Sequence, residues 1–570
     1  MSKITLTIDD QVVEVAPGTS ILEAAQYGGI KIPTLCYHPD LSLHGSCRVC
    51  VVEDLNSHRL LASCVVPAGE GMNISTRSAA ARQARRMNVE LLLANHPQDC
   101  LGCDRSGSCE LQELTYNLGI SPASVQRFAG EKRDLPLDLG GVALKRDPNK
   151  CILCGRCVRV CEEIQGLGTL EFIGRGFDSI VTTGFDLPQA EVNCAKCGQC
   201  ATVCPVGAIT EVSDLEHVWA ALDDPNKHVV VQAAPSIQVS IGEEFGLEPG
   251  TVVTGKLIAA LRRLGFNGVF STEFSADLTI LEEGNEFIQR IKGNKNLPHI
   301  TSCCPGWVKY AEQNYGDLLH HLSTAKSPQQ MFSTITKTYY AEQNKIRPEN
   351  IFSVSIMPCT AKKYEKSREE HSDSGFPDTD AVLTTRELAR MIKEAGIDFL
   401  NLNDDCYDPL LGAATGAATI FGTTGGVTEA ALRTVKEVLT GEPLDQLNLG
   451  IMGVRDAKVT IADRTYRIGI VSGLANAAKV LDEVRAGQSQ YDWIEVMACP
   501  HGCVGGGGQP LPANWEATKK RAQGLATMDQ SNTVRKSHEN EDVLKLYAEY
   551  LGEPLGGKAH QLLHTSYRVR

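Results

Sequence analysis

The chain has 570 residues and a formal net charge of −14 at neutral pH. That length predicts several domains, and 42% apolar residues is ordinary globular usage that can bury a sizeable core. The acidic balance argues against nucleic-acid binding, which leaves a basic footprint, and no apolar run reaches the roughly 20 residues of a membrane helix. The start MSKITLTIDD carries no secretory pattern, so the expected compartment is the cytoplasm. In that reducing setting, 21 cysteines point to metal ligation rather than disulfides.

Residues 1–78 read as a small β-rich domain. ITLTI and VVEV predict two strands around the Asp9–Asp10 turn, and the segment Thr19 to Ala25 predicts a helix with a hydroxyl N-cap and an early Glu23. Cys36, Cys47, Cys50 and Cys64 follow in loop-like sequence. Residues 79–140 form the next unit, and the segment RSAAARQARRMNVELLLANHP from Arg77 leads into it as a helix that should stop at Pro97. His96, Cys100, Cys103 and Cys109 cluster at its end.

Residues 141–215 hold an internal repeat. Cys151, Cys154, Cys157 and Cys161 are spaced x2, x2, x3, and the pattern recurs at Cys194, Cys197, Cys200 and Cys204 before Pro205, with a short strand-rich hairpin between. Soft, anionic thiolates at two-residue spacing wrap three corners of an iron–sulfur cubane, and the fourth cysteine of each run serves the other cluster. Cys204 is therefore grouped with Cys151, Cys154 and Cys157, and Cys161 with Cys194, Cys197 and Cys200. Structural zinc is the alternative, but zinc sites rarely show this doubled run.

From residue 216 to 570 the texture is α/β. Apolar runs HVVVQAAP, GVFST, FSVSIMP and IGIVSG predict strands of mostly parallel sheets, alternating with amphipathic helices KLIAALRRLG and DAVLTTRELARMIKEAG. EDVLKLYAEYLGEP predicts a helix, and GKAHQLLHTSYRVR an extended, basic, histidine-containing end. Three motifs each follow a strand-like run: TSCCPGW from Thr301, MPCTAK from Met357, and EVMACPHGC from Glu495, the last followed by VGGGGQP. Functional loops in α/β domains sit at such strand ends. By themselves the motifs offer five thiols from three loops, Cys303, Cys304, Cys359, Cys499 and Cys503: one further cluster and one thiol left over. In LTILEEGNEFIQRI, Glu283, Glu286 and Arg290 share one helix face, which by pattern alone reads as a surface salt-bridge stripe. Cys406, in DDCYDP, belongs to no motif and reads as a loop thiol.

The N-terminal half resembles the iron–sulfur domains shared by iron hydrogenases and the large iron–sulfur subunit of respiratory NADH dehydrogenases. With the three C-terminal motifs in the same order, essentially the whole chain resembles the iron-only (FeFe) hydrogenases of the large, multi-cluster type. The resemblance implies a multidomain α+β and α/β fold: a ferredoxin-like β-grasp domain with one 2Fe–2S cluster on Cys36, Cys47, Cys50 and Cys64, a 4Fe–4S domain on His96, Cys100, Cys103 and Cys109, a two-cluster ferredoxin domain, and a catalytic domain. There, Cys304, Cys359, Cys499 and Cys503 would hold a cubane, with Cys503 bridging to a di-iron unit bearing carbonyl, cyanide and azadithiolate ligands, together the H-cluster.

Lys362 and Ser236, in Ala234-Pro235-Ser236, would each grip a cyanide, while Met357 and Met497 would form wall; without the resemblance the methionines read as core and Lys362 as a surface lysine. Cys303 would pass protons, as a thiol of ordinary pKa near 8.5 can, fed through Arg290, Glu286, Ser323 and Glu283. The implied activity is reversible hydrogen oxidation and proton reduction. The expected partners are ferredoxin or the flavin and iron–sulfur subunits of an NAD(P)H-oxidising complex, besides maturation enzymes; no GxGxxG follows a strand, so the chain should not bind the nucleotide itself. Competing readings are a purely electron-carrying subunit, which the three motifs disfavour, and a hydrogen sensor or assembly factor of the same fold. Sensors tend to lose the relay thiol, present here as Cys303, and assembly factors lack the full motif set.

Overall fold

The computed structural model describes residues 3–444 and 454–570. At the N-terminus, strands Ile4–Ile8 and Gln11–Val15 pair antiparallel across the Asp9–Asp10 turn. The sheet continues in the order Gln11–Val15, Ile4–Ile8, Asn73–Ser75, Val51–Asp54 and Arg59–Ala62. Helix Ile21–Tyr27 is started by Ser20, whose hydroxyl accepts from the Glu23 N–H while Glu23 reaches back to the Ser20 N–H. Such a reciprocal cap is worth about 1 kcal/mol. The helix buries Ile21, Leu22, Ala24 and Ala25 against Leu6, Ile8 and Val52 of the sheet.

Helix Ala79–Asn95 starts at Ser78 and ends at His96, one residue before Pro97. Its buried Arg85 donates to the carbonyls of Val49 and Val51 at 3.2 and 3.0 Å, tying the helix to the cysteine loop of the first sheet. The two cysteine runs are framed by antiparallel pairs, Leu144–Arg146 with Ile209–Glu211 and Leu170–Ile173 with Ile180–Thr183.

The C-terminal half is built on two four-stranded sheets. One runs Gly268–Ser271, His228–Ala233, Ile351–Met357, Ala381–Thr384, all parallel. The other runs His299–Ile300, Trp493–Met497, Arg464–Ser472, Val454–Ile461, with only the last strand antiparallel. Parallel strands covered on both faces carry continuous apolar runs, as Val229, Val230 and Val231 show with at most 1% exposure. The helix Thr272–Gly293 passes between the sheets' cores, giving Phe274 and Leu278 to one cluster and Ala276, Ile280 and Phe287 to another.

Two expectations for this half need correction. In DAVLTTRELARMIKEAG the helix begins only at Thr385, because Ala381–Thr384 is fully buried as the edge strand beside Ile351–Met357. Thr384 then caps the helix, paired reciprocally with Glu387. The C-terminal segment is not extended throughout. Gly557–Leu563 is helical, because Ala559, Leu562 and Leu563 recur on one face and bury against Phe332 and Val543. No described helix is long and apolar enough to cross a membrane.

Candidate active site

The three motif loops leave the C-terminal ends of strands His299–Ile300 and Trp493–Met497, paired in parallel in one sheet, and of Ile351–Met357 in the other sheet. They enclose one cavity of about 80 Å³, lined by Cys303, Cys304, Cys359, Cys499 and Cys503. Water needs only about 10–15 Å³, so the space suits a larger group. Ala234, Pro235, Ser236, Met357, Met497 and Lys362 line the same cavity. Ser236 follows strand His228–Ala233, is fully buried, and its Oγ has no hydrogen-bond partner.

Lys362 is no surface lysine. It is buried, with Nζ 2.9 Å from Glu365 Oε2 and 3.3 Å from the Cys303 carbonyl. Burial acts against its charge, but Glu365 outweighs it and keeps the ammonium above its ordinary pKa. Glu365 also accepts from Ser327 Oγ and Gln329 Nε2, so a single carboxylate orients two cavity residues. Sequence reasoning missed Glu365 and Gln329; the i,i+3 spacing of Lys362 and Glu365 on one short helix was the available signal. Gln329 also lines the cavity, and its Oε1 has no partner.

None of the 21 cysteines is bridged to another. In the cavity, burial first and the neighbouring thiols second push the pKa of Cys359 up to about 12, and Cys499 well above its ordinary value. Converging thiols that destabilise one another's anions become favourable ligands once a cation lies among them. With two unpartnered polar atoms at the wall, this donor set fits an iron–sulfur group carrying small polar ligands.

Cys303 departs from its expected chemistry. Burial, then the Glu283 carboxylate, raise its thiol well above the ordinary value instead of leaving it near 8.5. That shift favours the protonated thiol over the thiolate. Behind it, the expected surface stripe is buried. Glu283 is 1% exposed, Glu286 Oε1 accepts from Arg290 Nη2 at 2.6 Å, and Glu286 Oε2 accepts from Ser323 Oγ at 2.9 Å. Arg290 also donates to the carbonyls of His321 and Leu322 at 2.6 and 2.7 Å. Burial, reinforced by Glu286, raises Glu283 from 4.5 to about 8, while the Arg290 charge and the hydrogen bonds from Arg290 and Ser323 hold Glu286 below its ordinary value against the effect of burial. One neutral carboxyl thus sits beside one ionised carboxylate.

Several of the outlying cysteines lie near one another. Cys151, Cys154, Cys157 and Cys204 line one cavity. Cys161 joins Cys194, Cys197 and Cys200, whose charges act on one another. Cys36 lies beside Cys47 and Cys64, with Cys50 Sγ 3.3 Å from Cys64 Sγ. His96 has an unpartnered Nδ1 at the end of its helix, before the turn that carries Cys100 and Cys103, and Cys103 and Cys109 act on each other electrostatically. Cys406 is an exposed loop thiol.

Buried arginines stitch these groups together. Arg159 Nη2 donates to the Cys36 carbonyl at 2.6 Å, and Arg105 to the Cys204 carbonyl at 2.8 Å. Arg386 clasps Glu211 through both guanidinium arms, at 3.1 and 2.8 Å, and against burial pulls that carboxyl down to about 2. The glycines of VGGGGQP permit close approach. A Cβ on Gly506 would sit 2.2 Å from the Pro358 carbonyl, and one on Gly507 2.5 Å from the Cys197 carbonyl.

The sequence profile described as "Iron only hydrogenase large subunit, C-terminal domain" matches residues 227–507, and "Iron hydrogenase small subunit" matches 516–570. Upstream, "2Fe-2S iron-sulfur cluster binding domain" matches 1–79. "NADH-ubiquinone oxidoreductase-G iron-sulfur binding region" matches 85–123, and "NADH-quinone oxidoreductase subunit 3, ferredoxin-like domain" 141–210. The chain is 48% identical to the "NADP-reducing hydrogenase subunit HndD" of Solidesulfovibrio fructosivorans, over 100% of both chains. It is 39% identical to "Iron hydrogenase 1" of Clostridium pasteurianum, over 96% of this chain and 97% of that one. A solved apo FeFe-hydrogenase variant from Chlamydomonas reinhardtii superposes with a TM-score of 0.58 at 42% identity, covering 63% of this chain and 99% of that one. The chain belongs to the iron-only hydrogenase family.

Proposed function

We propose that the chain is a hydrogenase that interconverts two protons and two electrons with molecular hydrogen, organised as domains over 1–78, 79–140, 141–215 and 216–570. The observation that carries this reading is the convergence of five thiols from three strand ends on one mostly apolar cavity. Cys304, Cys359, Cys499 and Cys503 would hold the H-cluster there, which when bound supplies the open iron and the electrons of the reaction. Ser236 and Lys362 would orient it by hydrogen bonds, and Met357 and Met497 exclude water.

Protons are carried by the chain itself. Arg290 fixes Glu286 at the outer end, and the Ser323 hydroxyl stands between Glu286 and Glu283. Glu283, neutral to about pH 8, holds the proton to be handed to the Cys303 thiol. Electrons would travel through one 2Fe–2S cluster on Cys36, Cys47, Cys50 and Cys64 and three 4Fe–4S clusters: one on His96, Cys100, Cys103 and Cys109, one on Cys151, Cys154, Cys157 and Cys204, and one on Cys161, Cys194, Cys197 and Cys200. Close packing between the last group and the cavity loops supports that route, the Gln199 amide donating to the Gly505 carbonyl at 3.0 Å.

The electron partner is proposed as ferredoxin or the flavin and iron–sulfur subunits of an NAD(P)H-linked complex; the NADP-reducing relative at 48% identity supports the latter. A reducing cytoplasm suits 21 unbridged thiols. Anaerobic infrared spectroscopy of the matured protein tests the central claim. Carbonyl and cyanide bands are expected, and their absence after full maturation overturns it.

A further inference from the structure

One buried histidine stands beside the relay without belonging to it. His299 lies on the short strand before the Thr301–Trp307 motif and is fully buried. Its ring is stacked on Trp493 at 4.7 Å and 25° between planes, and tilted against Phe287 at 5.8 Å. The Trp493 indole is itself fixed by its N–H donating to Thr428 Oγ1 at 3.0 Å, so the imidazole is clamped. Neither ring nitrogen has a hydrogen-bond partner. A buried imidazole with both nitrogens unmatched is costly, and such a group in a native site calls for a role.

Its Nε2 lies 3.7 Å from Glu283 Oε1, and Glu283 Oε2 is likewise without a partner. A glutamate's terminal torsion is soft, so a small carboxyl rotation closes that gap to hydrogen-bond length. The donors elsewhere in the relay are committed. The single Ser323 hydroxyl hydrogen goes to Glu286, and Arg290 serves Glu286 and backbone carbonyls. Once Glu283 releases its proton, its carboxylate in this low-dielectric site is steadied by the Ser302 backbone and by a Ser323 hydroxyl already given to Glu286. His299 offers an unspent N–H at that place.

We propose that His299 is a positioning residue for the proton relay: its Nε2–H donates to the Glu283 carboxylate and holds it in line between Ser323 and Cys303. The inference rests on the relay reading given above. The ring does not carry the proton itself. The titratable and charged groups facing it are Glu283, Glu286 and Arg290 of the long helix, with His321 flanking Arg290. Trp493 and Phe287 close the other sides and do not titrate. Burial and Arg290 keep the imidazole neutral, with a pKa of about 3. A neutral ring with a fixed donor suits steering and not storage.

The test compares His299→Phe and His299→Leu, which lack the ring nitrogens, with His299→Gln, which restores an N–H donor. It uses cluster-loaded enzyme. The protonated Glu283 carboxyl is followed by its infrared carbonyl band in resting enzyme, assigned through its loss in Glu283→Gln. In whichever apolar variant retains its clusters, the band should titrate about one pH unit higher than in wild type, a tenfold change in the equilibrium. Proton reduction should fall about tenfold, with the carbonyl and cyanide bands unchanged. His299→Gln should recover most of both. An apolar variant that titrates and turns over as wild type overturns the inference, as does a His299→Gln enzyme no better than the apolar ones. A fully active Glu283→Gln enzyme would instead remove the relay reading, whereas an inactive one beside an unperturbed His299→Phe removes only the role of His299.

Discussion

The Thr360 hydroxyl donates to the Lys196 carbonyl at 2.8 Å, joining the residue after Cys359 to the residue before Cys197. One buried hydrogen bond thus spans the seam between the cavity and the neighbouring accessory thiols, and the charge of Cys197 is felt at Cys499 across it. Thr360→Val keeps the shape and strands the carbonyl, at a cost of about 1–3 kcal/mol. Electron delivery from the accessory clusters to the cavity should slow several-fold in rapid-mixing experiments with dithionite, with the infrared bands retained. Wild-type delivery would show that this seam does not set the rate.

If the thiol beside Glu283 is the last proton holder of the proposed relay, Cys303→Ala should keep the complete infrared signature and lose nearly all turnover. Cys303→Ser should restore little, since a hydroxyl is a far poorer donor and acceptor near neutral pH. Cys304→Ala should behave differently, disturbing the cluster and its bands. Hydrogen evolution at a near wild-type rate in Cys303→Ala would exclude the thiol from the mechanism.

The pH dependence follows from Glu283. Its carboxyl is raised from 4.5 to about 8, so the folded protein holds a proton that the unfolded chain releases above pH 4.5. The associated stability is fully present below about 4.5 and is lost as pH rises through about 8. Proton reduction should decline over the same alkaline limb as the neutral carboxyl disappears. Glu283→Gln should flatten the stability slope across this window while abolishing turnover. Denaturation midpoints that keep the wild-type slope would contradict the assignment.

Metal analysis and His96 test the accessory wiring. The cluster set proposed here amounts to about 20 iron atoms per chain, and tightly bound zinc in place of any cluster would refute that set. His96→Cys should retain a 4Fe–4S cluster but change its reduction potential, because an anionic ligand replaces a neutral one. An unchanged potential in a redox titration followed by EPR would remove His96 as a ligand.

Much of this was legible in the sequence because it is local. Cysteine spacing is set within one loop, so the grouping of Cys204 with Cys151, Cys154 and Cys157 could be read from x2, x2, x3 runs; the Ser20 cap and the first two strands of the first sheet were equally local. Where burial decides, the pattern misled. Ala381–Thr384 looked like the start of a helix until its place beside Ile351–Met357 made it a strand, and the tail proved helical once Leu562 and Leu563 had a core to enter. The stripe of Glu283, Glu286 and Arg290 carries the periodicity of an exposed salt bridge. Only the tertiary fold takes it out of water, and desolvation then splits the two carboxyls into one neutral and one charged. The same cause separates Cys303 from its ordinary pKa, Lys362 from the surface, and His299 from every partner but Glu283. Residue type and spacing decide which atoms are offered; the dielectric around them, which long-range packing sets, decides their protonation and their use.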